Sequence, residues 1–261
     1  MKGYEYAKHS AQKGSSCKSA KECEDMKFLR SIFRYRESKI VYRLGCWILR
    51  ILPIPKWVTI KTPYGVIIHP KDFRLFSMAL DLVEPEIQNT FEKWIREADV
   101  FIDVGAAVGY YVLKAHKLNP QAIKIAIEPD FIAFNVLKAN LAINGILDNQ
   151  VKVLNIACSD KEEETEINTC VPPYQTKKVP AKPLVEILEN LKIELSRKSV
   201  LLIDVEGAGV KVIQGSINFL STSRPKVIME LHEGEERGVQ KILKSLGYNI
   251  NKPSKHFIIA S

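Results

Sequence analysis

No two cysteines of this chain form a Cys-x-x-Cys pair, and the five present, Cys17, Cys23, Cys46, Cys158 and Cys170, match none of the usual zinc spacings. An odd number so scattered argues for reduced thiols rather than a disulfide framework. No apolar run reaches the roughly 20 residues of a membrane-crossing helix. The opening residues, MKGYEYAKHSAQKGSS, lack the apolar stretch of a secretory leader. Internal repeats and low-complexity tracts are absent too, as is the G-x-G-x-x-G loop that admits a dinucleotide pyrophosphate. The expectation is a cytoplasmic globular protein without a metal site.

What is present is an ordinary globular composition, 46% hydrophobic and 26% charged over 261 residues, enough for one good-sized core. The formal charge of +8 is unevenly placed. Residues 1–61 carry 14 Lys and Arg against 5 Asp and Glu, and the remaining 200 carry 24 against 25. Nucleic-acid affinity needs several basic groups along a phosphate backbone, so a near-neutral body gives it little support.

Residues 1–26 are polar and lysine-rich, and are expected to form a disordered tail. Over 27–57 apolar side chains such as Phe28, Ile32, Trp47 and Ile51 alternate with arginines, a basic amphipathic helical segment stopped by Pro53 and Pro55. It could lie on an anionic membrane surface, peripherally, or pack its apolar face on the main domain, placed at 58–261.

That domain opens with a hairpin at 58–68 and a helix from Glu84 to about Glu97. Apolar runs at 100–104, 123–127, 151–156, 200–203 and 225–231 then alternate with helical patterns at 109–117, 131–143, 183–194, 209–220 and 235–246. Two closing strands follow in YNIN and HFIIAS. This is the α/β pattern of a mostly parallel, seven-stranded Rossmann-like sheet with helices on both faces.

The first strand runs into Asp103-Val104-Gly105-Ala106-Ala107-Val108-Gly109-Tyr110. Glycines there permit a sharp turn and close ligand approach, and the amides opening the next helix can face polar groups. Asp103 suits the positively charged amino-acid end of S-adenosylmethionine. The second strand ends in Glu128-Pro129-Asp130, with Glu128 about 20 residues past the loop, where such folds place the acid that binds ribose hydroxyls. A nicotinamide dinucleotide fits less well, since an aspartate beside the loop would repel phosphate. Ser159 and Asp160, after a third strand, could present themselves to the adenine or simply cap a turn.

The strand Leu201-Leu202-Ile203 delivers Asp204 and Glu206 with Gly207 and Gly209 to the carboxyl edge, and Val227–Leu231 delivers Glu230 and His232. Methyl transfer is an in-line displacement that needs alignment and, for a hydroxyl acceptor, proton removal. A histidine titrating near neutrality could take that proton, with Asp204 or Glu206 orienting or replacing it. The acids could instead cap a helix, or hold a divalent ion with His232, although their spacing defines no recognised site. Val171-Pro172-Pro173-Tyr174 imitates the proline–proline–tyrosine element of amino-methylating enzymes but precedes the fourth core strand, so it reads as a turn.

The ordered set FIDVGAAVGYY, IAIEPD, NIACSD and LLIDVEGAGVKVIQGS resembles the FkbM family of methyltransferases over about residues 58–235. Asp204-Val205-Glu206-Gly207, Glu128, Glu230-Leu231-His232 and Glu84-Pro85-Glu86 match the family's elements. Two positions depart from it: Gly209 stands where a glutamate is usual, and Lys182-Pro183-Leu184-Val185 where a threonine–leucine–aspartate segment is usual. The resemblance implies S-adenosylmethionine as cofactor and O-methylation of a sugar, glycan, glycolipid or secondary metabolite. An RNA methyltransferase gripping its substrate through the basic segment, or a non-catalytic membrane-associated nucleoside-binding protein, are the alternatives.

Overall fold

The computed structural model describes residues 56–72, 74–193, 195–196 and 198–261. The expected tail at 1–26 and all of the expected basic segment before Lys56 lie outside them. The described chain begins with β1 (Trp57–Thr62), β2 (Gly65–Pro70), α1 (Arg74–Ala79), α2 (Pro85–Arg96), β3 (Val100–Val104), α3 (Tyr110–Leu118), β4 (Ile123–Ile127) and α4 (Phe131–Ile143). It continues through β5 (Val151–Leu154), β6 (Ala157–Ser159), β7 (Glu163–Asn168), β8 (Thr176–Pro183), α5 (Leu184–Asn190) and β9 (Ser199–Ile203). It closes with α6 (Gly209–Gln214), α7 (Ile217–Thr222), β10 (Lys226–Glu230), α8 (Glu236–Ser245), β11 (Ile250–Ser254) and β12 (Phe257–Ala260).

Seven strands form the main sheet in the order β11-β12-β10-β9-β3-β4-β5. The five from β10 to β5 are parallel, and β12 runs antiparallel to both its neighbours. This is the expected sheet. Its central strands are buried on both faces, which is why they read as unbroken apolar runs. Val100, Ile102 and Val104 face a core completed by α5, α6, α7 and α8. Phe101, pointing the other way, joins Ile87, Phe91 and Ile95 of α2.

The β1–β2 hairpin is fastened to α4 by two asparagines one helical turn apart. The Asn140 side chain accepts from the Ile68 amide (2.7 Å) and donates to the Ile68 carbonyl (3.1 Å). Asn144 does the same with Val66 (2.8 and 2.6 Å). Two amide side chains thus take the place of a neighbouring strand.

Three expectations need correction. The strand expected over 151–156 ends at Leu154, and the chain crosses into a second sheet, β6-β8-β7, whose alternately exposed, charge-rich strands carry too little apolar signal to be read. The helix expected over 183–194 stops at Asn190. The helix expected over 209–220 is broken at Gly215, where a Cβ would come within 2.0 Å of the Ser159 carbonyl oxygen. Among the described residues no helix is long and apolar enough to cross a membrane.

Candidate active site

From β3 the chain builds outward through β4 and β5, then returns to the other side through β9 and β10. The carboxyl ends of β3 and β9 therefore flank the point where winding reverses, the place where open α/β sheets leave a crevice. The loops leaving these two strands touch. The Asp204 amide donates to the Val104 carbonyl (2.9 Å), and a Cβ on Gly105 would lie 1.9 Å from the Asp204 carbonyl oxygen. With φ of 92°, position 105 admits only glycine without strain.

The loop from Gly105 to Gly109 differs from expectation in one respect. Its amides are used internally: Gly105 and Ala106 both donate to the Ile127 carbonyl (2.9 and 3.1 Å), and Gly109 donates to the Ala106 carbonyl (2.8 Å). The Ala107 amide donates to Glu128 Oε2 (2.7 Å), an anchor that offsets the cost of its left-handed φ of 47°. Beside these engaged amides the crevice presents carboxylates.

Glu128 is buried at the end of β4, its second oxygen accepting from the Asp130 amide (2.7 Å). Burial pushes its carboxyl up to about 7, against the two amides that favour the charged form. The Asp103 carboxyl, wholly enclosed, is pushed well above the usual range by burial first, then by Asp204, Glu128 and Glu84. Four carboxylates thus bear on one small volume, which a bound cation would relieve. The fit to a positively charged, hydroxyl-bearing nucleoside such as S-adenosylmethionine is good.

Three residues beside this site, Asn155, Glu84 and Glu235, were missing from the sequence-based set. Asn155 donates its side-chain amide to the carbonyls of Glu128 (2.8 Å) and Pro129 (3.0 Å), bracing the acidic turn. Glu84, at φ 46°, accepts from the Tyr111 hydroxyl (2.6 Å). The Glu84-Pro85-Glu86 element was visible in the sequence as a helix start and as a match to the family's glutamate–proline element, without a role for the Glu84 carboxylate. Tyr110 is buried, and its hydroxyl donates to Asp81 (2.9 Å), which also pairs with the wholly buried Lys114 (3.0 Å). Glu92 is the second carboxylate on Lys114 (2.9 Å), so this interior charge is neutralised.

Ser159 and Asp160 are expected either to meet the adenine or to cap a turn, and Ser159 is held among its own chain neighbours. Ser159 belongs to β6, in the second sheet, and its hydroxyl donates to Glu163 (2.7 Å) and Asp160 (3.2 Å). Its described contacts run to Glu163 and Gly215, not to the loop after β3.

Asp204, Glu206 and His232 do come together. His232 Nε2 lies 3.6 Å from Asp204, and Nδ1 lies 3.4 Å from Glu206. The two loops are locked by Glu235, buried at 4% exposure, whose carboxylate accepts from the Gly209 amide (2.5 Å) and the His232 amide (2.9 Å). A Cβ on Gly209 would strike the Met229 methyl at 2.1 Å and stand 2.9 Å from that carboxylate. The expectation of a near-neutral His232 is corrected: Asp204 first, then Glu206 and Glu230, raise it to about 9 despite partial burial. That shift favours the charged imidazole in the ligand-free chain, and the open carboxylates are groups able to receive a proton.

The chain matches the methyltransferase FkbM domain over residues 103–250. No curated protein matches it. Among solved structures it is similar to the methyltransferase FkbM from Methylobacillus flagellatus, at 17% identity, covering 63% of this chain and 44% of that one, with a TM-score of 0.49. It therefore spans less than half the length of that protein. It is also similar to TYW2 from M. jannaschii in complex with AdoMet, at 13% identity over 80% of this chain and 87% of that one, TM-score 0.45. A SAM-dependent methyltransferase from Agrobacterium tumefaciens is 8% identical over 80% and 71%, TM-score 0.47.

Proposed function

The chain belongs to the FkbM family of S-adenosylmethionine-dependent methyltransferases, and from that premise we propose that it methylates a hydroxyl oxygen of a sugar, glycan, glycolipid or secondary metabolite. The observation that carries the reading of the crevice is the pairing of internally used loop amides with the carboxylates of Asp103, Glu128, Asp204 and Glu84. A pyrophosphate would meet negative charge there, whereas a cationic nucleoside meets opposite charge.

In this reading Gly105, Ala106 and Gly109 let the ligand approach the backbone, Tyr110 and Pro129 shape the walls, Asp103 holds the amino-acid end and Glu128 the ribose hydroxyls. The bound cofactor supplies a methyl group on positively charged sulfur. Asp204 and Glu206, with side chains 46% and 77% exposed, line the open side, where an acceptor hydroxyl can enter and give up its proton to a carboxylate as its oxygen takes the methyl. His232 orients them, and Glu235 holds both loops at a fixed separation.

Calorimetry with S-adenosylmethionine, S-adenosylhomocysteine and NAD tests the crevice. Binding of both sulfur nucleosides without NAD is expected, and silence toward them would end the assignment. An acceptor screen opening with glycans and glycolipids, read by mass spectrometry for methylated oxygen, tests the substrate class. Methyl transfer to nitrogen alone would overturn it.

A further inference from the structure

We propose that Asp204, Glu230 and His232 bind one divalent cation of the Mn2+ or Zn2+ class at the open edge of the crevice. One ligand atom from each of these residues lies within 4.8 Å of the others, at the ends of β9 and β10. Two donors on one ion with bonds of about 2.1 Å stand about 3.0 Å apart in octahedral and about 3.4 Å apart in tetrahedral geometry. The 3.6 Å between His232 Nε2 and Asp204 is close to the tetrahedral spacing.

The orientation of His232 is an independent observation. Its Nδ1 faces the Glu206 carboxylate at 3.4 Å, while its Nε2, shielded from solvent, lies 3.6 Å from Asp204, beyond hydrogen-bond reach. Metal-bound imidazoles usually take this form, one nitrogen on a carboxylate and the other on the ion. The backbone of His232 is itself pinned through Glu235, so the ring starts from a fixed base.

The mixed donor set, one nitrogen and two carboxylates, favours Mn2+ or Zn2+ over Ca2+, which takes oxygen throughout. Three protein ligands leave coordination positions open toward the crevice. Adjacent oxygens on an acceptor, such as a vicinal diol, would fill them and be aligned by the ion. That use rests on the methyltransferase reading; the binding site itself does not.

The test is a titration of the full chain, stripped with chelator, with MnCl2 followed by electron paramagnetic resonance and with ZnCl2 by calorimetry. S-adenosylhomocysteine is titrated separately into the same preparation. One ion per chain is expected, with affinity reduced tenfold or more in Asp204→Asn and His232→Ala and about tenfold in Glu206→Gln. Should a variant fail to fold, anomalous scattering from Mn2+-soaked wild-type crystals replaces it, with a peak expected between Asp204 and His232. Absence of ion binding, unchanged affinity in the folded variants, or a peak elsewhere would overturn the proposal. Ion binding without nucleoside binding would support this site while removing the methyltransferase reading.

Discussion

Asp103 and Glu128, at the ends of β3 and β4, are 2% and 3% exposed, whereas the Asp204 and Glu206 side chains after β9 are 46% and 77% exposed. On the first edge the acids are enclosed, Glu128 is gripped by two amides, and both carboxyls are pushed upward by burial. On the second edge they stand in water around a histidine that they hold charged. Enclosed acids weaken the empty protein and suit a ligand of fixed charge. Open acids cost little and can adjust to an acceptor.

The sharpest way to break this contrast is at the seam. Gly105→Ala drives a methyl into the Asp204 carbonyl at a left-handed φ, and should cost more than about 3 kcal/mol in denaturant unfolding or prevent folding. Asp103→Asn should weaken S-adenosylhomocysteine binding about 100-fold while raising the melting temperature of the ligand-free protein, since it removes a carboxyl whose ionisation burial and neighbouring acids oppose. Loss of stability in that variant would show the charge to be compensated in the native state.

Glu235→Gln places an amide NH2 where backbone donors need an acceptor. It should cost about 2 kcal/mol and lower turnover more than cofactor affinity. Because Glu128 titrates near 7 in the folded chain and near 4.5 unfolded, its contribution to stability is complete below about 4.5 and lost as pH rises through about 7. Cofactor affinity should run the other way, falling about tenfold from pH 8 to pH 6 by calorimetry, and a flat profile would remove Glu128 from the ribose. Glu206→Gln, at the open edge, should change stability by less than about 0.5 kcal/mol while lowering methyl transfer.

The sheet was legible because strands buried on both faces must be apolar throughout, and Asp103, Glu128, Asp204 and His232 stand out as polar residues ending such runs. The small second sheet was not, because Glu163–Asn168 and Thr176–Pro183 alternate exposed charge with half-buried residues and resemble a solvated loop. Asn155 and Glu235 were missed for a different reason. Each acts through side-chain contacts with backbone, partly distant in sequence, and no periodicity marks such contacts. The use of the loop amides was likewise invisible, since it depends on where Ile127 and Glu128 come to lie.

The asparagines that hold β2 bear on how the protein keeps company with itself. A hairpin strand with bare amides and carbonyls is an invitation to a strand from another molecule. Asn140 and Asn144 occupy that edge at Val66 and Ile68 with groups that cannot propagate a ladder. Their removal would therefore do more than loosen a hairpin: at high concentration it would expose a seam along which copies of the chain can stack, so these two amides guard solubility as well as shape.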